Sequence, residues 1–424
     1  MILENNFSNF LSKNKDSLLI SILFLITFFH FVLNESFKVW NISIVLLLFG
    51  VFLIFKKKFI KPNIYLIIFC MSGFILITIN YLIFSRLDTA PEGMFRTYKY
   101  MVNKYSWFLP FLFLPSIYLF SKFDENKLIH LLLIFFIFSF FYLLHYGFKF
   151  EFSREGAVNF FNPVISYDIG LISLALVLLS LSFTLKKLKF IFVLVLSLLT
   201  ILLLVLHGTR GAWVGVLTSG FILSFFYIKT HTREFLSIAG ICLFFICISL
   251  FLENSPIKER LLSFKQDAVQ IQSDNYMNST GIRLYLWNNS IEYFQENPLD
   301  GIGIAQIEVE NCKLYQEGRL PQCFQHQHSI YFQELAGNGV IGVLNLILSL
   351  LLPLFYFLKN IKTNDAINKN LAITGSIFVT YYMLSGLTEN YLFFIEISYI
   401  YYWVVASLMT FIYLHSLNRE HRFR

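Results

Sequence analysis

The chain has 424 residues, of which 57% are hydrophobic and only 14% are charged, and its mean hydropathy is +0.65. Soluble globular domains carry about 25% charged residues. The composition therefore excludes a soluble enzyme, a disordered chain and a nucleic-acid binder. The formal net charge of +7 is explained by basic residues that flank apolar segments. We expect an all-α protein that crosses the lipid bilayer many times and has no nucleic-acid partner.

Apolar runs long enough for a hydrocarbon core of ~30 Å predict about 12 transmembrane helices. Their approximate bounds are 17–34, 39–55, 63–84, 106–121, 128–147, 165–185, 190–207, 212–228, 235–252, 338–358, 371–387 and 396–415. The run at 106–121 is short and contains Pro110 and Pro115, so its depth in the membrane stays open. We expect helices one to nine in 1–252, a large polar loop with the site residues in 253–337, and helices ten to twelve in 338–424.

The distribution of Lys and Arg predicts the orientation of these helices, because cytoplasmic loops are enriched in both. Placing both termini in the cytoplasm leaves 19 of these residues inside and eight in the short outer loops. Four of the eight lie in 86–104, and Arg96 is one of them. They either contact phospholipid headgroups or help to hold an anionic substrate.

The loop at 253–327 is the only large polar region, so water-soluble chemistry is expected there, on the outer side. Leu284, Trp287, Ile291 and Phe294 have the spacing of one face of an amphipathic helix that ends before Pro298. Arg283 would lie in the first turn of that helix. An arginine at a helix N-terminus can bind phosphate, and an arginine lying on the membrane surface is an equal alternative.

Arg210 lies in a turn between two apolar runs, with Gly208 and Gly211 on either side. Glycines let a backbone approach a ligand closely. An arginine near the membrane interior indicates a functional anion site by default, although it can also extend to the headgroups. Two acids lie in or beside apolar runs. Asp168 is within the run at 165–185. Glu389 follows the run at 371–387, where it could line a cavity or face headgroups.

His326 and His328 precede the apolar run at 338. On a helix, residues i and i+2 face different sides, so we expect no metal site. The nearest pair of acids in the loop is Glu308 and Glu310. One histidine near two arginines suits a general base beside a diphosphate, and two interfacial polar residues are the alternative. Cys312 and Cys323 lie in the same loop and could close a ten-residue disulfide loop in an oxidising compartment.

Three motifs resemble those of bacterial O-antigen ligases. His328-Ser329, Gly339 and Gly342 fit the pattern H-[NSQ]-x9-G-x-x-G. The stretch 209–213 resembles the (S/T)RGAW turn of that family, and Arg283, Trp287 and 297–303 resemble its R-x3-W…NP-x2-G-x-G segment. O-antigen polymerases and protein O-oligosaccharyltransferases share these motifs. The motifs therefore indicate the superfamily more specifically than the ligase.

The resemblance implies a GT-C-like glycosyltransferase of the bacterial inner membrane with a periplasmic active site. It would transfer O-antigen polysaccharide from undecaprenyl diphosphate to a sugar hydroxyl of the lipid A–core, with no metal, no cofactor and no ATP. Arg210 and Arg283 would hold the diphosphate and His328 would be the catalytic base. Gly339 and Gly342 would let helix ten pack closely, and we expect His326, Glu389 and Arg96 to line the cavity.

The sequence departs from the family pattern at one position and leaves other functions open. Many family members have an acid at the position of Gly337, whereas this chain has Glu334 instead, to which we assign no role. A polymerase would use the same donor and the same residues. A transporter of lipid-linked sugars is a weaker alternative, because the ionisable residues gather at the outer boundary and in one loop rather than near the midplane.

Overall fold

The computed structural model describes residues 39–72, 106–120, 125–150, 164–207, 209–229, 231–236, 256–272, 276–391 and 395–422, together with single helical positions at 240, 243, 247 and 251. Every regular element in these ranges is helical, as predicted for an all-α chain. The helices are α1 (Val39–Phe55), a 3₁₀ helix (Ser106–Phe113), α2 (Leu114–Phe120), α3 (Glu125–Phe150), α4 (Val164–Ser182), α5 (Lys187–Leu206), α6 (Arg210–Tyr227), α7 (Pro256–Gln272), α8 (Ser279–Glu296), α9 (Ile304–Gln316), α10 (Ile330–Leu346), a π-helical turn (Ile347–Leu351), α11 (Leu352–Ile361), α12 (Ala366–Ser385) and α13 (Ile395–Arg422).

Within the described ranges, four helical stretches are long and apolar enough to cross a membrane: Leu132–Phe150, Lys187–Leu204, Ile330–Ile361 and Ile397–Leu417. Shorter apolar helices cover Leu46–Phe55, Leu109–Tyr118, Tyr167–Ser182 and Ala212–Tyr227. These eight stretches coincide with eight of the predicted spans, so the chain is a multi-pass membrane protein. The predicted span at 17–34, and most of those at 63–84 and 235–252, lie outside the described residues.

Helix α12 corresponds to the predicted span at 371–387, but its composition is more polar than that of the spans above. Most of its side chains are buried, and they include Asn370 and Thr374. The hydroxyl of Tyr227 donates to Asn370, and the hydroxyl of Thr374 donates to that of Ser180 over 2.8 Å. Because its polar groups bond to neighbouring helices, α12 lies inside the bundle.

The contacts between α6 and α12 run in opposite directions along the two helices. Tyr227, the last residue of α6, bonds to Asn370 near the start of α12. Gly215, near the start of α6, lies so close to Tyr381 that a Cβ would stand 2.6 Å from that ring. The two helices are therefore antiparallel. Arg210, the first residue of α6, lies at the end of the bundle where α12 finishes.

Helix α4 is also antiparallel to α12. Ser180 at its far end bonds to Thr374, and the hydroxyl of Ser173 lies 3.2 Å from that of Tyr382. Asp168, one turn closer to the start of α4, therefore lies at the end where α12 finishes. The antiparallel packing thus brings two separate parts of the sequence, around Asp168 and Arg210, to the same end of the bundle.

Candidate active site

The candidate catalytic histidines lie in a non-helical segment between α9 and α10. The indole Nε1 of Trp287, on α8, donates to the backbone carbonyl of Gln327 over 3.0 Å. The Trp287 ring also stacks on Phe332 of α10, with 4.9 Å between the ring centroids. Because Gln327 stands between His326 and His328, this indole fixes the position of both histidines against α8. The sequence placed Trp287 on an apolar helix face and in the R-x3-W motif, but it did not indicate this contact with Gln327.

A second set of hydrogen bonds ties the histidine segment to the end of α12. The Ser329 hydroxyl and the Ile330 backbone N–H both donate to the carbonyl of Gly386, over 3.2 and 3.0 Å. The Tyr331 hydroxyl donates to the carbonyl of Met383 over 2.8 Å. Gly386 begins the loop that contains Glu389, so these bonds place Glu389 beside His328 despite their separation in the sequence.

His326, His328 and Glu389 form a compact cluster. The Oε1 atom of Glu389 lies 3.6 Å from Nδ1 of His328 and 3.9 Å from Nε2 of His326. Burial alone raises the pKa of Glu389. The contact with His328, the charges of His328 and His326 in their protonated forms, and the charge of Arg283 outweigh burial and lower the pKa to about 2. Glu389 is therefore ionised at neutral pH.

The expectation that His326 and His328 face different sides of a helix is wrong. His328 has φ +51°, so the segment is not helical, and the two ring centroids are 4.4 Å apart. The acid next to the histidines is Glu389. Glu310, one of the two acids named as the nearest pair, instead bonds to Lys313 over 2.8 Å on α9.

One ligand atom from each of His326, His328 and Glu389 lies within 4.8 Å of the others, which is a spacing that a metal ion could bridge. The backbone N–H of His328, however, donates to Nδ1 of His326 over 3.2 Å. Neutral His326 must then carry its proton on Nε2, the atom that faces Glu389. A metal-binding histidine has the opposite pattern, with its second ring nitrogen acting as a donor. The hydrogen bonds therefore disfavour a metal ion at this cluster.

Arg283 lies deeper in its helix than the sequence predicted. Helix α8 begins at Ser279, where the side chain of Asn278 accepts hydrogen bonds from the N–H groups of Thr280 and Gly281. The helix N-terminus is therefore capped by the protein itself, and the cap occupies two of the N–H groups that could otherwise face an anion. The half-buried Arg283 lies one turn later, with Nη1 3.4 Å from the carbonyl of Ser279, and its charge acts on Glu389.

Two other cations, Arg210 and Arg96, were also expected at the site. Arg210 is the first residue of α6, with Thr209 before it, and the structure does not describe its side chain. Arg96 lies outside the described residues. The site therefore joins His326, His328, Arg283 and Glu389, and it has the backbone of Arg210 at the same end of the bundle.

A buried cluster anchors the turn before Arg210, and the sequence did not reveal its partners. Nδ1 of His207 lies 2.7 Å from one carboxylate oxygen of Asp168, and the hydroxyl of Thr209 donates to the other. All three side chains are buried. Asp168 thus holds both His207 and Thr209, and Thr209 is the motif residue directly before Arg210.

We predict that Thr209→Val lowers the thermal stability of the purified protein and weakens donor binding. A buried hydrogen bond to a charged group contributes about 1.5–3 kcal/mol, and its loss frees the turn that positions Arg210. Thr218→Val is the matched control, because that hydroxyl bonds, among the described residues, only to its own helix α6. Equal melting temperatures and equal donor affinities for the two variants would contradict the anchoring role of Asp168.

Two of the sequence motifs form one structural unit. The backbone N–H of Val340 donates to the carbonyl of Pro298 over 2.8 Å. In return, the N–H of Ile302 donates to the carbonyl of Ala336 over 2.9 Å, and that of Gly303 donates to the carbonyl of Gly337 over 3.0 Å. The 298–303 loop therefore runs along α10 and satisfies backbone groups at a break in that helix.

Gly339 makes this break, which is a different role from the close helix packing that we expected. It has φ +57°, and a Cβ would lie 2.5 Å from the carbonyl oxygen of Pro298. Gly342 lies against the carbonyl of Glu334, where a Cβ would be 2.4 Å away. The carboxylate of Glu334 is buried and accepts a hydrogen bond of 2.7 Å from Asn338, so it supports the same break.

Gly339→Ala should reduce the amount of folded protein in the membrane. A non-glycine residue at this φ costs about 1–3 kcal/mol, and the overlap with Pro298 adds to that cost. Gly220→Ala on α6 is the control, because no atom of the described part of the chain lies within 4 Å of a Cβ there and alanine favours a helix. Detergent-solubilised protein would be compared by fluorescence size exclusion. Equal yields of the two variants would refute the account of the break.

Cys312 at the end of α9 is joined to Cys323 by a disulfide, with 4.4 Å between the two Cα atoms. The Asn311 side chain donates to the carbonyl of Phe324 over 2.9 Å beside it. Both links hold the segment just before His326 against α9. Together with Trp287, they restrain the histidine segment along its whole length.

Comparison with known proteins gives a family for the central part of the chain. Residues 192–347 match the family model described as O-antigen ligase. This range includes Arg210, Arg283 and His328, and it ends before Glu389. An uncharacterized protein of Haemophilus influenzae (strain ATCC 51907 / DSM 11121 / KW20 / Rd) is 27% identical over 200 residues.

That similarity covers 46% of this chain and 50% of the relative, so the chain spans about half the length of the curated relative that it matches. The family match covers the turn before Arg210, α8, and the unit formed by the 298–303 loop and α10. The match over residues 192–347 supports membership of the chain in the O-antigen ligase/polymerase superfamily.

Proposed function

We propose that this protein is an O-antigen ligase. It transfers O-antigen polysaccharide from undecaprenyl diphosphate to a sugar hydroxyl of the lipid A–core, on the periplasmic side of the inner membrane, with both termini in the cytoplasm. The observation that carries the proposal is the contact between His328 and the ionised carboxylate of Glu389, within the influence of the Arg283 charge. This arrangement suits deprotonation of a hydroxyl beside an anionic leaving group.

The reaction needs little beyond these groups. The donor already contains a diphosphate leaving group, so the enzyme must stabilise negative charge and accept one proton, without ATP, metal or cofactor. Arg283 and Arg210 bind the diphosphate, and His328 removes the proton from the acceptor hydroxyl. Attack from the face opposite the diphosphate inverts the anomeric centre, in a GT-C-like enzyme with about twelve transmembrane helices.

The competing function within the superfamily is O-antigen polymerase, which extends the glycan while it remains on the lipid carrier. The test is to delete the gene and to compare lipopolysaccharide with lipid-linked glycan. We expect bare lipid A–core, with long glycan chains still on the carrier. Lipid A–core that carries a single repeat unit would instead identify a polymerase. A normal lipopolysaccharide ladder would exclude both.

A further inference from the structure

We propose that Glu389 is a positioning residue that holds His328 with its proton on Nδ1, and that His326 keeps the carboxylate of Glu389 in place. The inference rests on the proposed role of His328 as the catalytic base, and it adds a residue outside the range matched by the family model. It explains which of the two ring nitrogens of His328 accepts the substrate proton.

The protonation of His326 follows from one backbone hydrogen bond. The N–H of His328 can only donate, so Nδ1 of His326 must accept and its proton must lie on Nε2. That Nε2–H faces Oε1 of Glu389 at 3.9 Å. His326 therefore presents a hydrogen-bond donor to the carboxylate, and the backbone of His328 itself sets this orientation.

The protonation of His328 follows from its contact with the same carboxylate. Nδ1 of His328 is fully buried and lies 3.6 Å from Oε1 of Glu389, while the side chain as a whole is 22% exposed. An ionised carboxylate can only accept a hydrogen bond, so Nδ1 carries the proton. The lone pair is then on Nε2, at the exposed edge of the ring, where an acceptor hydroxyl can reach it.

The backbone of His328 is held in a conformation that histidine rarely adopts, with φ +51°. Such strain persists only where surrounding contacts impose it. Here the Gln327 N–H donates to the side chain of Gln333 over 2.9 Å, and Trp287 and Gly386 hold the residues on either side. The strained backbone aims Nδ1 at Glu389.

During transfer, the acceptor oxygen forms a bond to the anomeric carbon as the bond from that carbon to the diphosphate breaks. The electron pair leaves with the carrier diphosphate, and the hydroxyl proton moves to Nε2 of His328. The resulting imidazolium faces the negative charge of Glu389 and later releases a proton to water. Glu389 stabilises this ion without changing its own protonation.

The other titratable groups around the pair are few within the described residues. Arg283 on α8 and His326 in the same segment both act on Glu389. The hydroxyl of Tyr331 on α10 is engaged with the carbonyl of Met383. Phe324 packs its ring against His328, with 5.4 Å between the centroids. A change in Glu389 therefore alters the only described carboxylate in contact with the imidazole.

The test uses the full chain in lipid nanodiscs with ¹⁵N-labelled histidine. NMR should show the proton of neutral His328 on Nδ1 in the wild type, and redistribution towards Nε2 in Glu389→Gln. The variant should also lose about 10²–10⁴-fold in kcat with an unchanged donor KM.

Two further variants keep the test decisive if Glu389→Gln folds poorly. His326→Asn retains an oxygen that can accept from the His328 N–H but removes the Nε2–H, so we expect kcat to fall about tenfold. Asp365→Asn is the control. It removes the carboxylate that lies 3.2 Å from His415, and asparagine can still cap α12.

Three results would overturn the proposal: unchanged protonation of His328 in Glu389→Gln, full activity of that variant, or tight Zn²⁺ binding by the wild type that Glu389→Gln abolishes. The NMR result does not depend on the identity of the acceptor. If the protonation shifts as expected but the wild-type protein does not transfer glycan to lipid A–core, the proposed function fails and the positioning role of Glu389 stands.

Discussion

His328→Ala should abolish glycan transfer while the protein still inserts into the membrane and accumulates normally. General base catalysis contributes about 10²–10⁴-fold to such a rate, and alanine has no group that can accept the proton. The side chain of His328 is partly exposed, so its removal leaves no large cavity in the core. Transfer would be measured with lipid-linked glycan and lipid A–core in nanodiscs.

The matched control is His415→Ala, which removes a histidine from another histidine–carboxylate contact, that with Asp365. This variant should transfer glycan at the wild-type rate. Normal transfer by His328→Ala would remove the assignment of the base. A fall in protein level that parallels the fall in activity would assign His328 a structural role instead.

Arg283→Lys should reduce transfer by about 10²-fold although it preserves the charge. A guanidinium can make two parallel hydrogen bonds to a phosphate, whereas an ammonium makes a point contact. Arg283 also lowers the pKa of Glu389 through its charge, and lysine keeps that effect. We therefore expect the loss in donor binding and rate, with the pH dependence of the remaining activity unchanged.

Arg319→Lys is the control for this substitution. Arg319 lies in the same long loop, is exposed, and stands 3.5 Å from Glu317, so its replacement should leave transfer unchanged. A fully active Arg283→Lys variant would limit Arg283 to supplying charge or packing. The two arginine variants would be compared in one assay, at several donor concentrations, to separate kcat from KM.

The sequence predicts the class of fold well, because long apolar runs and helical periodicity are local properties. Eight described apolar stretches fall where runs were predicted. The sequence does not predict that α12 lies inside the bundle. The polar side chains of Asn370 and Thr374 form hydrogen bonds with residues of other helices, and these partners are distant in the sequence. The boundary of α10 also differs, because it begins at Ile330 rather than near 338.

The candidate site was predictable by residue type but not by partner. Arg210, Arg283 and His328 each stand out in the sequence, and motif resemblance joins them. Their neighbours come from contacts between distant parts of the chain: Glu389 reaches His328 through the bonds of Ser329 and Ile330 to Gly386. No spacing in the chain indicates this contact. The start of α8 was misplaced for a local reason, because the Asn278 cap lies before the first apolar position of the repeat.

The role of Gly339 shows a second limit of sequence patterns. The motif resemblance predicts that Gly339 and Gly342 let helix ten pack closely against its neighbours. The structure instead uses the positive φ of Gly339 to break α10 and to receive the 298–303 loop. The hydrogen bonds between this loop and α10 join backbone groups only. A pattern of side chains in the sequence therefore cannot predict them.

The most direct measurement of the central claim is transfer by the purified protein in nanodiscs, with undecaprenyl-diphosphate-linked glycan as donor, lipid A–core as acceptor, and EDTA present. We expect glycan on the lipid A–core, release of undecaprenyl diphosphate, inverted configuration at the new linkage, and no product from His328→Ala. Elongation of carrier-linked glycan with the lipid A–core left bare would contradict the ligase assignment. Equal product from the wild type and His328→Ala would contradict the site.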